Sequence, residues 1–413
     1  MAIDEQASFL APAYLADFAC NGPVCPDTCC TTSWTIELDQ PTYARYQACT
    51  DRELQPLFRQ HLQHLQRLPA GQRTLAYGRI AAAGHSGDCP MLDSSRLCRI
   101  QSRLGEAALS HTCFAYPRHH YRLNGVLHQV ASLSCPETAR LALASPDAMA
   151  FTELQRPLRP DVLHQPLAAQ ADAAQQAAQE LHYLCLQLMA EPALALWQAL
   201  AVCGVLCQCV QDLPAGHDPA QQLALLDDIR TSLAAEDGLL ADLAAVRPDY
   251  AGQARLLHLF ATMPRTQARA DAQPRFGSVM QRVRRVMGDS AEQYARSYPA
   301  LLAAWQMRLE DLELDYVLRN YLLNLMQVRT FPLDDGMPPA QAYASLVVAY
   351  LWVRGFCAAL AAERGGVTLD DMVLVIQTLE RTCEHDRSFL LAMAGSLQRS
   401  GLTRLEALLP LLP

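Results

Sequence analysis

The sequence contains no lysine; all 33 of its basic residues are arginine. An enzyme acting on lysine would gain by having none of its own to modify. The codon bias of a GC-rich genome explains the same composition more simply. Charged residues are sparse at 18% against 51% hydrophobic, a balance that marks a globular chain and excludes a disordered one. The opening MAIDEQASFLAPAYL lacks a basic stretch followed by an apolar one, so no secretory signal is expected. The long apolar runs 193–210 and 342–362 are interrupted, the first by Gln198 and Gln208 and the second by Arg354. A charge at the centre of a bilayer is costly, so both runs are expected as buried helices, without membrane insertion, in a soluble cytoplasmic protein. A basic excess is also missing. Net charge is −9, with residues 1–150 near neutral (12 Arg against 13 acids) and the remainder at −8. That excludes a nucleic-acid partner of the usual kind, which needs a basic surface. It is compatible with attracting a cationic side chain such as lysine, although ordinary solubility accounts for it as well.

What the chain does have is cysteine, unevenly placed. Nine of 15 cysteines precede residue 136 and six are scattered over the rest. A chain of 413 residues is too long for one ordinary core, and Pro157, Pro160 and Pro166 interrupt any helix across 153–170. Two domains are therefore expected: a cysteine-rich metal-binding domain over 1–155 and a helical domain over 156–413. The fold class is mainly α, a small irregular cysteine-rich N-terminal domain followed by an all-helical C-terminal one. Residues 31–38 alternate like a strand. Asn124-Gly125 between short apolar runs signals a two-residue hairpin, and 41–66 and 97–109 look helical. In the second half, helical spacing of Leu and Ala predicts helices over 194–212, 219–246, 250–263, 276–288, 299–328, 339–362, 369–383 and 386–411. Breaks are expected at 264–274 and 331–339.

Cys20, Cys25, Cys29 and Cys30 fall within eleven residues as C-x4-C-x3-C-C; Cys89, Cys98, Cys113 and Cys135 are spaced more widely. Cys25, Cys89 and Cys135 each precede proline, which holds the cysteine out of helix as a ligand loop requires. Disulfides need an oxidising compartment. Unliganded burial suits the cysteines in helical segments, namely Cys49, Cys185, Cys203, Cys207, Cys209, Cys357 and Cys383, but not the tight 20–30 cluster. Thiolate ligation of a soft metal fits best, and spacing leaves zinc and iron–sulfur open. The C-x2-C pairs of a zinc ribbon and the C-x3-C-x2-C of radical enzymes are both missing. Eight thiolates suffice for two four-ligand sites or for one with spares.

These residues carry a resemblance. Phe18-x-Cys20-x4-Cys25-x3-Cys29-Cys30 with Trp34, Gly87-Asp88-Cys89-Pro90 and Leu97-Cys98-Arg99-Ile100-Gln101 follow one another in order. Leu109-Ser110-His111-Thr112-Cys113 with Tyr116-Pro117-Arg118, and Ser132-Leu133-Ser134-Cys135-Pro136-Glu137, come next. Together they resemble the flagellin lysine-N-methylases. Asn320-Tyr321-x2-Asn324, Phe331-Pro332 and Glu384-His385 look like further family positions. The resemblance implies methyl transfer from S-adenosyl-L-methionine to lysine amines of flagellin, with a [4Fe-4S] cluster. Residues alone supply no cofactor site, because a glycine-rich turn after a strand and a doubly wound alternation of strands and helices are both lacking.

Lysine is protonated at neutral pH, so methylation needs a desolvated amine or a base. The candidate catalytic residues are His111, Tyr116, Arg118 and Glu137, with His119, Glu384 and His385 as further bases. Arg99 and Arg118 are candidates to pair with the donor's carboxylate. A metal-stabilised adaptor without enzymatic activity and an electron-transfer protein are the rival readings.

Overall fold

The computed structural model describes residues 6–31, 36–65, 77–81, 88–159, 162, 172–333, 337–384, 389, 395, 398–399 and 401–413. Among them the N-terminal part holds two small sheets rather than an irregular chain. β1 (Gln6–Pro12) buries Phe9 and Ala11 and exposes Gln6 and Ser8, the alternation of a half-buried strand. Short β2 (Ile36–Leu38) leads into α1 (Gln40–Gln47), whose first turn is capped by Asp39, the acceptor from Thr42 N. α2 (Leu54–His61) then runs into β3 (Leu62–His64), and β4 (Gly78–Ile80) lies between β2 and β3, antiparallel to both. The expected helix over 41–66 is therefore two helices and a strand. Tyr46, stacked on Phe58 at 4.5 Å, and Leu54 fill a small core of their own.

α3 (Arg99–Leu104) and α4 (His111–Ala115) precede the hairpin of β5 (Arg118–Leu123) and β6 (Val126–Ala131). Asn124 and Gly125 make its turn at φ 46° and 77°. The left-handed region at both positions gives the twist the flanking strands need, which is why Asn-Gly predicts this turn. α5 (Pro136–Ala142) follows, then β7 (Phe151–Pro157), which pairs along the whole of β1 and completes the sheet order β5-β6-β1-β7.

Among the described residues that follow, the elements are helices: α6 (Ala173–Ala190), α7 (Leu196–Gln211), α8 (Pro219–Ala234), α9 (Leu239–Leu243), α10 (Tyr250–Thr262), α11 (Pro264–Ala272) and α12 (Pro274–Met287). α13 (Ala291–Asp311), α14 (Tyr316–Val328), α15 (Pro339–Arg364), α16 (Leu369–Cys383) and α17 (Leu405–Leu408) come next. The break expected over 264–274 is itself a helix. Pro264 and Pro274 occupy first-turn positions, where no backbone N–H is needed. The single helix expected over 299–328 is divided at 312–315, and Pro299 sits inside α13. α15 is long and apolar enough to cross a membrane, yet its most apolar stretch is wholly buried by neighbouring helices. Its Arg354 is buried and donates to the Leu411 and Leu412 carbonyls and to the Tyr350 hydroxyl. One apolar core runs from Ala11, Tyr14 and Leu133 through α6, α7 and α10 to α16. The four-stranded sheet is thus packed directly on the helices.

Candidate active site where the thiol-rich lobe meets helix α16

Short turns hold the thiols. The Cys29 and Cys30 sulfurs lie 4.0 Å apart in a single 3-10 turn, and the Cys30 carbonyl accepts from Cys89 N at 2.8 Å, joining two distant segments. Cys98 faces Leu92 across an isolated bridge and precedes α3. Cys113 lies in α4, where its N–H is capped by Ser110 Oγ at 3.2 Å. Cys135 caps the start of α5 ahead of Pro136, and Asn21 Nδ2 donates to Glu137 Oε2 at 2.8 Å, bringing the 20–25 segment beside it.

The eight thiols are close enough to influence one another. Burial pushes Cys89 and Cys113 up to about 12, with charge on Cys30 and Cys98 adding to it, although Cys113 keeps exposed surface. Cys25, Cys98 and Cys135 are raised by burial first. The contact between the two thiols raises Cys29 and lowers Cys30, so Cys30 is the one that ionises first. Among the described residues no three His, Cys, Asp or Glu side chains converge as a ready-made metal site. The donor chemistry nonetheless fits a soft metal, since thiolates are its preferred ligands and a bound cation would offset the burial that keeps these thiols protonated.

Helix α16 grips this lobe with residues spaced a turn apart. Gln377 Nε2 donates to Asp27 Oδ2 and to the Ser134 carbonyl, each at 2.9 Å. Arg381 donates to the Asp27 and Thr28 carbonyls, at 3.0 and 3.3 Å. Just beyond the helix, Glu384 accepts from Ser132 Oγ and pairs with His119 Nε2 at 3.3 Å. Ser132 and Ser134 hydroxyls lie 2.6 Å apart, and the Tyr116 hydroxyl is 3.0 Å from Ser134. A polar path thus runs from the Cys135 turn to the end of α16.

Of the expected catalytic residues, Tyr116 sits on this path, and burial raises its phenol well above 10, so it stays protonated. Glu137 is held ionised by Arg140, at 2.6 Å, and by Asn21. The Arg118 guanidinium donates to the Phe114 carbonyl at 2.6 Å and pairs with Glu106 at 3.3 Å. His111 begins α4, with Nε2 3.1 Å from Thr112 Oγ1. Arg99 donates to the Leu92 carbonyl. Asn320 Nδ2 reaches the Ala142 and Ser145 carbonyls, and Asn324 donates to the Tyr14 hydroxyl at 2.8 Å, so both pin α14 to the N-terminal part. His385, Trp34 and Gly87 lie outside the described residues.

Three residues of α16 went unnoticed in the sequence: Gln377, Arg381 and Glu380, the last 5% exposed and accepting from the Tyr321 hydroxyl at 2.7 Å. They lie in an amphipathic helix with no motif around them, and only three-dimensional packing reveals their partners.

The molecule is thus a mainly α-helical protein with a thiol-rich, sheet-containing lobe docked on α16. A model of the FliB lysine N-methylase C-terminal domain matches residues 182–411. The chain belongs to the FliB lysine N-methylase family, and with it to the methyltransferases. It is similar to the lysine-N-methylases of Salmonella choleraesuis (strain SC-B67) and Salmonella typhimurium (strain LT2). Each is 26% identical over 393 residues, or 92% of this chain and 93% of the relative. It is also similar to flagellar biosynthetic protein FliU of Salmonella muenchen, at 36% identity over 149 residues, which are 36% of this chain and 85% of that protein. No solved structure matches.

Proposed function

We propose that this methyltransferase acts in the cytoplasm on flagellin lysines, with S-adenosyl-L-methionine as donor and a cysteine-held [4Fe-4S] cluster as cofactor; zinc is the alternative metal. The observation that carries the reading is the grip of α16 on the loops that bear Cys25, Cys29, Cys30 and Cys135, within a chain of the lysine N-methylase family. The name of the FliU relative supports a flagellar substrate. Cys20, Cys25, Cys29, Cys30, Cys89, Cys98, Cys113 and Cys135 are the proposed ligand pool. Bound there, a cluster with an iron open to outside ligands would supply a chelating point for the amino and carboxylate groups of the donor. Arg99 and Arg118 are the proposed partners of that carboxylate.

The chain's own residues have separate tasks. Arg381 and Gln377 fix the 27–28 backbone and the Ser134 turn, so the thiols on either side keep their spacing. Tyr116, protonated throughout the physiological range, donates into the site. The net negative charge favours approach of a lysine side chain. The test is methyl transfer to purified flagellin by protein prepared without oxygen. Methylated lysines in the presence of S-adenosyl-L-methionine are expected; donor turnover without flagellin modification would refute the substrate.

A further inference from the structure

The polar path between the thiol-rich lobe and α16 is an unbroken run of side chains. His119 Nε2 lies 3.3 Å from Glu384 Oε1, and Ser132 Oγ donates to Glu384 Oε2. The Ser132 and Ser134 hydroxyls are 2.6 Å apart, and the Tyr116 hydroxyl is 3.0 Å from Ser134. Ser132 and Glu384 are 252 positions apart in sequence, so the run closes only where the lobe is seated on the helix. Its protons have one arrangement. A hydroxyl carries a single proton, and a carboxylate only accepts. The Ser132 proton therefore lies on Glu384, the 2.6 Å contact uses the proton of Ser134, and the 3.0 Å contact uses that of Tyr116. All three bonds run one way, from Tyr116 to Glu384.

Holding the turn does not require this alignment. Ser132 N donates to the Pro117 carbonyl at 2.8 Å, Ser134 N to Ser132 Oγ at 3.0 Å, and Gln377 Nε2 to the Ser134 carbonyl at 2.9 Å. None of these bonds uses the Ser134 or the Tyr116 hydroxyl. The two ends of the run also differ. Ser132 and Ser134 are fully buried, whereas the side chain of Glu384 keeps 10% exposure and that of His119 25%. One end thus meets solvent beside His119. At the other, the half-buried Tyr116 follows directly on α4, which carries Cys113, and its phenol feels the charge of Cys135 and Cys29.

We infer that this run is a proton relay, in which Tyr116 takes up the proton that lysine methylation releases, Ser134 and Ser132 pass it on, and Glu384 receives it and gives it to water beside His119. The inference rests on the lysine-methylating reading above and adds the path by which the acceptor amine loses its proton. Only the neutral amine is a nucleophile, and lysine is an ammonium at neutral pH. The ammonium gives one proton to the Tyr116 oxygen as Tyr116 hands its own to Ser134, Ser134 to Ser132, and Ser132 to Glu384. The freed nitrogen lone pair forms a bond to the methyl carbon of a sulfonium donor. The carbon–sulfur bond breaks with its electron pair going to sulfur, leaving a thioether and a methylated ammonium. Glu384 then releases the proton to solvent, so one proton leaves for each methyl transferred. The three hydroxyls end neutral, as they began. His119 holds the second carboxylate oxygen and acts as a positioning residue.

The test uses the full-length protein, purified without oxygen, with S-adenosyl-L-methionine as donor and purified flagellin or polylysine as acceptor. Tyr116→Phe and Ser134→Ala each remove one hydroxyl and leave the backbone bonds of the turn in place. In both, kcat should fall about 100-fold, the low end for loss of assisted proton transfer, while both KM values, the metal content and thermal unfolding stay those of wild type. Glu384→Ala should lose activity and regain part of it in added formate, a small carboxylate that can enter from the exposed end; a merely structural role would not respond to formate. Wild-type kcat in either hydroxyl variant would overturn the relay while the methylase reading stands. If Ser134→Ala loses its fold or its metal, Tyr116→Phe and the formate response decide, and inactivity of Glu384→Ala that formate does not relieve counts against the relay. Wild-type protein that methylates polylysine but not flagellin would end the flagellin reading, and the same variants on polylysine would still decide the relay. Inactivity of the wild type on both acceptors would end the methylase reading and the relay with it.

Discussion

Arg381 donates to the carbonyl of Asp27 at 3.0 Å and pairs with its carboxylate at 3.3 Å, so a residue from the end of α16 holds the loop that carries Cys25, Cys29 and Cys30. The arginine side chain is almost wholly buried at 3% exposure, whereas Asp27 is partly open.

Removing that grip should loosen the thiols before it unfolds the helices. Arg381→Ala is expected to destabilise the protein by about 2 to 3 kcal/mol, the range for hydrogen bonds to charged groups. Metal bound by anaerobically purified protein should fall more steeply than stability does. Urea midpoints together with metal analysis check this. Full metal content in a destabilised variant would show that the loop needs no anchor.

The thiols themselves make a sharper case. Cys30 is joined to Cys29 by a thiol contact and to Cys89 through the backbone. Cys30→Ser should therefore abolish both metal retention and methylation, because a serine hydroxyl is a poor ligand for a soft metal. Cys357→Ser is the control. It changes a buried helical thiol far from the N-terminal loops, and its metal content should remain that of wild type. Methylation that persists after metal is lost from Cys30→Ser would make the metal structural.

Acid should weaken the contact between α6 and the segment after α14. His182 Nδ1 donates to the Phe331 carbonyl at 2.6 Å, and burial holds its pKa down, at about 4. The unfolded histidine titrates near 6.5, so the unfolded state takes the proton first. The contribution is fully present above pH 6.5 and is lost as pH falls toward 4. Between pH 7 and 4.5 it should amount to roughly 2 to 3 kcal/mol. His182→Gln, which can still donate to Phe331, should be less stable at pH 7 and lose less on acidification. Equal acid sensitivity in the two proteins would rule this histidine out.

Part of this was legible in the sequence. Asn124-Gly125 specified its hairpin because only a turn with two left-handed residues fits between those strands. Arg354 marked the run around it as a buried helix rather than a membrane span, and in the fold its charge is met by chain-end carbonyls. The proline-bounded stretch 264–274 was misread, since the same residue that ends one helix can begin the next. The N-terminal sheet was largely missed: β1 finds its partners more than a hundred residues away in β6 and β7, a pairing that local periodicity does not carry. For the site, the clustered Cys-Pro steps and the 132–137 block fall in the lobe that α16 grips. Glu380 stayed hidden, because an acid next to Arg381 in an amphipathic helix looks like an exposed one until Tyr321 is seen against it.

The most direct test of the account is mass spectrometry of flagellin incubated with S-adenosyl-L-methionine and the anaerobically purified full-length protein, read lysine by lysine. The account predicts methyl additions on lysine that require both donor and protein and that vanish in Cys30→Ser. Flagellin recovered unmodified, from protein that carries its full metal, would contradict it.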